Sequence, residues 1–172
     1  MGHRFNSKAC ELIVLMASER LIDVTIDENL AASINSGLQH ERDLAIHDLI
    51  EVNHFTLSSG PKGPYKLHLT SQDQRLVFQI SNTADEVLHI FGLSLGPFRR
   101  VVKDYFQICD SYNVAVKASN PQAIEAIDMA RRAIHNEGSE TLQTRFKGKI
   151  EMDFDTARRL FTLVCALTAR AG

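Results

Sequence analysis

Between Tyr65 and Ile80 the chain reads YKLHLT-SQDQ-RLVFQI, two alternating apolar and polar runs around a polar break. No other stretch restricts the fold as tightly. A period of two places alternate side chains on one face, so both runs form strands, and SQDQ returns the chain as an antiparallel hairpin. After the SNTADE turn, Val87 to Leu93 adds a third strand. Leu67, Leu69, Val77 and the apolar residues of the third strand are expected on the buried face. A sheet with one apolar face needs a second layer, and helices are its natural source.

The flanking sequence supplies that layer. RLIDVTID, Arg20 to Asp27, reads as a further strand, and Leu38 to Val52 takes a helical period with Leu38, Ala45, Leu49 and Val52 inward. SSGPKGP is a loop. Gly96-Pro97 opens a helix whose stripe is Phe98, Val102, Tyr105, Cys109, Tyr112 and Val116. After Asn120-Pro121 a second helix has Ala123, Ile127, Ala130 and Ile134 inward. Gly138 is expected to end it, Ser139 to cap a short helix toward Lys147, and Gly148 to stop that one. Asp155 is expected to cap the last helix, with Ala157, Leu160, Phe161, Val164 and Leu167 facing the core. The expected fold is a single α+β domain over residues 1–172: an antiparallel sheet, made of the meander plus the N-terminal strand, packed against four or five helices. Residues 1–19 are expected to form an N-terminal arm.

With 44% hydrophobic and 23% charged residues the chain is an ordinary globular sequence. Its net charge of -2 opposes unselective binding to nucleic acid. The charge is unevenly spread: residues 1–90 carry seven Lys/Arg against twelve Asp/Glu, and residues 91–172 carry twelve against nine. Cys10, Cys109 and Cys165 form no CxxC pair, which suits a reducing compartment. No apolar run reaches membrane-helix length. A cytoplasmic protein without membrane contact is expected.

Arg99-Arg100, Arg131-Arg132 and Arg158-Arg159 all fall in helical segments. Arg99, Arg100 and Lys103 share an arc away from the Phe98/Tyr105 stripe. Asp128, Arg131, Arg132 and His135 share another, opposite Ile127 and Ile134. The guanidinium fork suits phosphate and carboxylate. Arg99, Arg100, Lys103, Arg131, Arg132 and His135 are therefore the expected ligand-binding surface. Its partner is a protein or a phosphate-bearing ligand, with nucleic acid as a further option. The competing explanation is surface ion pairing, since Asp128 precedes Arg131 by three and Arg132 by four, and Arg100 precedes Asp104 by four. A homo-oligomer with arginines paired across its interface is a third reading.

His135 and Glu137 are the catalytic candidates, because a carboxylate can orient a histidine for proton transfer. Yet HNEG is also what a helix exit looks like. His40, His47, Glu51 and His54 are the metal-ligand candidates, His47 and Glu51 lying four apart on one helix. Without HExxH or a cysteine pair, no metal and no cofactor are expected. GxGxxG, GxxxxGK[ST] and GxSxG are all missing from the sequence.

LGPFRRVVKDYFQICDSY, IEAIDMARRAIHNEGSE and DFDTARRLFTLVCAL carry a resemblance. Together they resemble a family of uncharacterised alphaproteobacterial proteins of about this length, from roughly Arg20 to Leu167. The resemblance implies a bacterial, cytoplasmic protein. It implies no activity, cofactor or residue role, although all three double-arginine pairs fall inside the family's motifs.

Overall fold

The computed structural model describes residues 7–169. In chain order its elements are α1 (Ser7–Ser18), β1 (Leu21–Ile26), α2 (Glu28–Ser33), α3 (Gln39–Glu51), β2 (Phe55–Leu57), β3 (Tyr65–Gln72), β4 (Arg75–Ser81) and β5 (Val87–Ser94). Then follow α4 (Arg99–Lys117), α5 (Pro121–Phe146), β6 (Ile150–Met152) and α6 (Phe154–Thr168). The expected meander is β3-β4-β5, with Leu67 opposite Ile80 and Leu69 opposite Phe78. This register turns Leu76, Phe78 and Ile80 inward and leaves Val77 on the outer face, so the expected inward Val77 is corrected.

The N-terminal strand joins the meander at its β3 edge, giving the order β1-β3-β4-β5. It runs parallel to β3, because α2, α3 and β2 carry the chain back to the start of the sheet before β3 begins. Asn53 locks this crossover: its side chain accepts from Leu21 N at 2.8 Å and donates to the carbonyls of Leu21 and Leu49. A second, two-stranded ribbon pairs β2 with β6, which the residue pattern did not suggest.

The helices pack in the lateral order α3, α6, α5, α4. Their inner side shares one apolar core with the sheet. Phe146 of α5 meets Phe78 and Phe91 with ring centroids at 5.0 and 4.8 Å. Starts and stops follow local chemistry. Asn120 accepts from Ala123 N with Pro121 at the first helical position of α5. Gly148, at φ +81°, turns the chain into β6. Asp153, rather than the expected Asp155, caps α6 by accepting from Thr156 N at 2.9 Å. The expected inward Val52 and Val116 are exposed, since Val52 is the extended cap residue past the end of α3 and Val116 lies in the last turn of α4. Ser7–Ser18 of the expected arm form a helix with Leu12 to Met16 exposed, and residues 1–6 lie outside the described residues.

The largest departure lies in α5. It does not end at Gly138 but continues for 26 residues. Gly138 is buried in mid-helix, and a Cβ there would lie 2.2 Å from Phe161 Cζ and 2.3 Å from its Cε2. This glycine is a contact surface for α6 rather than a stop. The inward stripe accordingly runs on through His135, Gly138, Ser139, Leu142 and Phe146, while the expected Ala130 is exposed.

A sign test separates the two roles of Gly138. Alanine normally stabilises a helix interior by up to about 1 kcal/mol over glycine. Here Gly138→Ala is expected to destabilise by about 1–3 kcal/mol through overpacking against Phe161. Urea unfolding of the variant measures it, and a neutral or stabilising substitution would contradict the packing role.

Candidate functional site

The two helices that meet at Gly138 and Phe161 also carry two of the double-arginine pairs. Arg131 and Arg132 of α5 and Arg158 and Arg159 of α6 line one open cleft of about 320 Å³, with Tyr105, His135, Asp155 and Thr162. The α5 pair shares one carboxylate. Asp128 accepts from Arg131 Nε at 3.2 Å and pairs with Arg132 at 3.0 Å. Hydrogen bonding from Arg131, helped by Arg132, holds Asp128 below the usual carboxylate range. The Arg131 guanidinium also lies 4.9 Å over the Tyr112 ring, which fixes its direction. Arg158 and Arg159 are half-buried and have no ion-pair partner among the described residues. Arg158 Nε is buried without a hydrogen-bond partner.

His135 belongs to the cleft but not to its solvent-facing arc. It is 9% exposed, because α5 continues and its inward stripe includes this position. The ring sits between Tyr105 and Phe161, with centroids at 5.5 and 5.2 Å, and its Nε2 is 2.9 Å from Thr162 Oγ1. Burial, then the nearby Arg158 and Arg131, lowers its pKa to about 4, so the ring is neutral at pH 7.

The other predicted residues go elsewhere. Arg100 is taken up by Glu137 and by Asp104 at 3.2 Å, so it ties α4 to α5. The same pair removes Glu137 from His135, and the expected acid-base couple is not brought together. Arg99 and Lys103 line a separate depression floored by Leu95, Phe98 and Val102, where Arg99 donates to Gln74 Oε1. The six expected ligand-binding residues thus divide: Arg131, Arg132 and His135 share the cleft, whereas Arg99, Arg100 and Lys103 do not. Arg158 and Arg159 were visible as a pair, but nothing in their spacing matches them to α5. Tyr105 and Thr162 carried no signal beyond helical phase.

Among the metal-ligand candidates, His47 and Glu51 approach at 3.8 Å, with Asp48 beside them. All three are exposed. His54, past the end of α3, faces Glu19 at 3.7 Å, and His40 does not join the group. No helix among the described residues is long and apolar enough to cross a membrane.

Fold and cleft together define an α+β protein whose helical layer gathers arginines from two neighbouring helices. The chain belongs to the uncharacterised protein family UPF0262, which matches residues 18–170. It is 54% identical over 157 residues to the UPF0262 protein of Hyphomonas neptunium, covering 91% of this chain and 97% of that one. It is 55% identical over 148 residues to a UPF0262 protein of Rhizobium meliloti, covering 86% and 93%. A UPF0262 protein of Brucella canis is 54% identical over 149 residues, covering 86% and 92%. No solved structure matches the chain.

The buried histidine makes a prediction about acid stability. Its folded pKa near 4 lies below the ordinary value of about 6.5, so the unfolded chain takes up a proton that the folded chain does not. Stability is then fully present above pH 6.5 and is lost as pH falls from there toward 4. Allowing for solvent screening, this term is about 1 kcal/mol between pH 7 and pH 5. Urea melts in anion-poor buffer should show the loss in the wild type and not in His135→Gln.

Proposed function

We propose that the protein is a binding module that holds a phosphate- or carboxylate-bearing ligand in the cleft between α5 and α6. The observation that carries this reading is the unpaired state of Arg158 and Arg159 beside Arg131 and Arg132. Half-buried guanidinium groups not ion-paired to a carboxylate present donors to an oxyanion that can accept them in bidentate fashion. The cleft's volume of about 320 Å³ suits a small molecule or a single acidic side group better than a polymer. The overall charge of -2 points the same way.

Binding is favoured over catalysis because of what surrounds His135. Its Nε2 meets a threonine hydroxyl, and no carboxylate hydrogen-bonds the ring among the described residues. A general base needs an orienting partner and access to the reacting proton. A regulatory or adaptor role, which such a module would serve, requires only that the ligand be held. A cytoplasmic setting agrees with the cysteine usage.

Calorimetry with inorganic phosphate at low ionic strength tests the site. Wild-type protein is expected to bind, more weakly as salt rises. The double variant Arg158→Gln/Arg159→Gln should bind at least about tenfold more weakly, since hydrogen bonds to charged groups contribute roughly 1.5–3 kcal/mol each. Arg99→Gln, outside the cleft, should bind as the wild type does. Equal phosphate affinity in wild type and double variant would overturn the assignment.

A further inference from the structure

Four guanidinium groups line or flank the cleft, and Asp155 with Asp128 are the carboxylates beside them, leaving the site two charges positive. Beneath it lies the nine-tenths-buried His135. Thr162 Oγ1 is 2.9 Å from His135 Nε2 and also donates to the Arg158 carbonyl at 3.2 Å. A hydroxyl carries one proton, so with that proton on the carbonyl it must accept from Nε2–H. His135 Nδ1 is then left as a bare lone pair, and it has no hydrogen-bond partner. The ring therefore keeps one vacant basic position, buried at Nδ1, in a residue that lines a positively charged cleft.

We propose that the ligand of this cleft is a doubly charged oxyanion, of the phosphate monoester class, and that it is bound together with one proton taken up at His135 Nδ1. This rests on the anion-binding reading above. A dianion balances the two surplus charges. It also screens Arg158 and Arg131, the cations that oppose protonation of the ring, and its own charge attracts the proton. Anion and proton then help each other bind, as linkage requires.

Other groups facing the ring do not supply the proton dependence. From α4 come Tyr105 and, beside it, Cys109; from α6 come Cys165, Asp155, Arg158 and Arg159; from α5 itself come Asp128, Arg131 and Arg132. Burial raises the hydroxyl of Tyr105 and the thiols of Cys109 and Cys165, which stay neutral between pH 5 and pH 8. Asp128 stays ionised through Arg131. Asp155 is the remaining carboxylate and is tested directly.

Sulfate is the probe, because it keeps both charges across this range. Calorimetry on the full chain at constant ionic strength should give affinity rising as pH falls from 8 to 5. If anion binding restores the ring to between about 5.4 and the ordinary 6.5, the gain is about three- to thirty-fold. Asp155→Asn should keep this slope, and His135→Gln should bind sulfate with a flat profile. Nitrate, a monoanion, should bind at least about tenfold more weakly. Should His135→Gln fail to fold, the ring nitrogens of wild-type His135, followed by NMR at pH 5.5, decide: saturating sulfate must shift them to the protonated form. A pH-independent sulfate affinity, or a ring that stays neutral when saturated, overturns the proton coupling. Equal nitrate and sulfate binding overturns the dianion. Absence of sulfate binding at every pH removes the anion site itself, a separate result.

Discussion

The contact between Gly138 and Phe161 governs the rest of the helical layer. A side chain at position 138 would occupy the space of the Phe161 ring, so its absence lets α6 lie directly on α5. Nine residues of α6 are buried between its neighbours α5 and α3 and the sheet, among them Leu160, Phe161 and Val164. Close packing of this kind is stiff, and neighbouring residues have little freedom to adjust. His135, three residues before Gly138, is carried inward against Thr162 and Phe161. The arginines on both helices then reach the same opening. Their convergence is a consequence of apolar packing, not of attraction between charges.

Electrostatics alone would keep those arginines apart. Two like charges near a protein surface repel by about 4 kcal/mol at 4 Å, whereas an exposed ion pair recovers about 0–1 kcal/mol. Asp128 serves both Arg131 and Arg132, so it cannot also serve the α6 pair. Arg100 shows the other outcome, since Glu137 and Asp104 pair with it and compensate its charge. Three double-arginine pairs of similar composition thus have different states, set by which carboxylates their helices bring within reach. The uncompensated pair is the one whose helix is held in place by its buried apolar face.

Much of the architecture could be read from residue periods. The β3-β4 hairpin, the strand at Leu21–Ile26, the Gly96-Pro97 turn that leads into α4 and the helix start at Pro121 follow from local chemistry that tertiary packing did not override. The direction of β1 and the β2-β6 ribbon did not, because both depend on chain segments meeting far along the sequence. Val77 lies on the face opposite Leu76 and Phe78, because one position of strand phase exchanges faces completely. For the cleft, the α5 half was legible from the arc of Arg131 and Arg132. The α6 half was not, because pairing two helices requires the Gly138 contact, and the sequence presents that glycine as a helix end. A helix ending at Gly138 would also end the inward stripe at Ile134 and leave His135 outside, whereas the continuous helix buries it.

The continuity of α5 also decides between kinds of chemistry. Had the chain turned at Gly138, His135 and Glu137 could have approached each other across the break. Within an unbroken helix, positions two apart point to nearly opposite sides. His135 therefore faces the core beneath the cleft while Glu137 faces outward and holds Arg100. A proton-transfer couple drawn from this segment would require the helix to unwind through its most tightly packed contact. What the intact helix leaves available is a neutral, half-satisfied imidazole beside the guanidinium groups of the cleft.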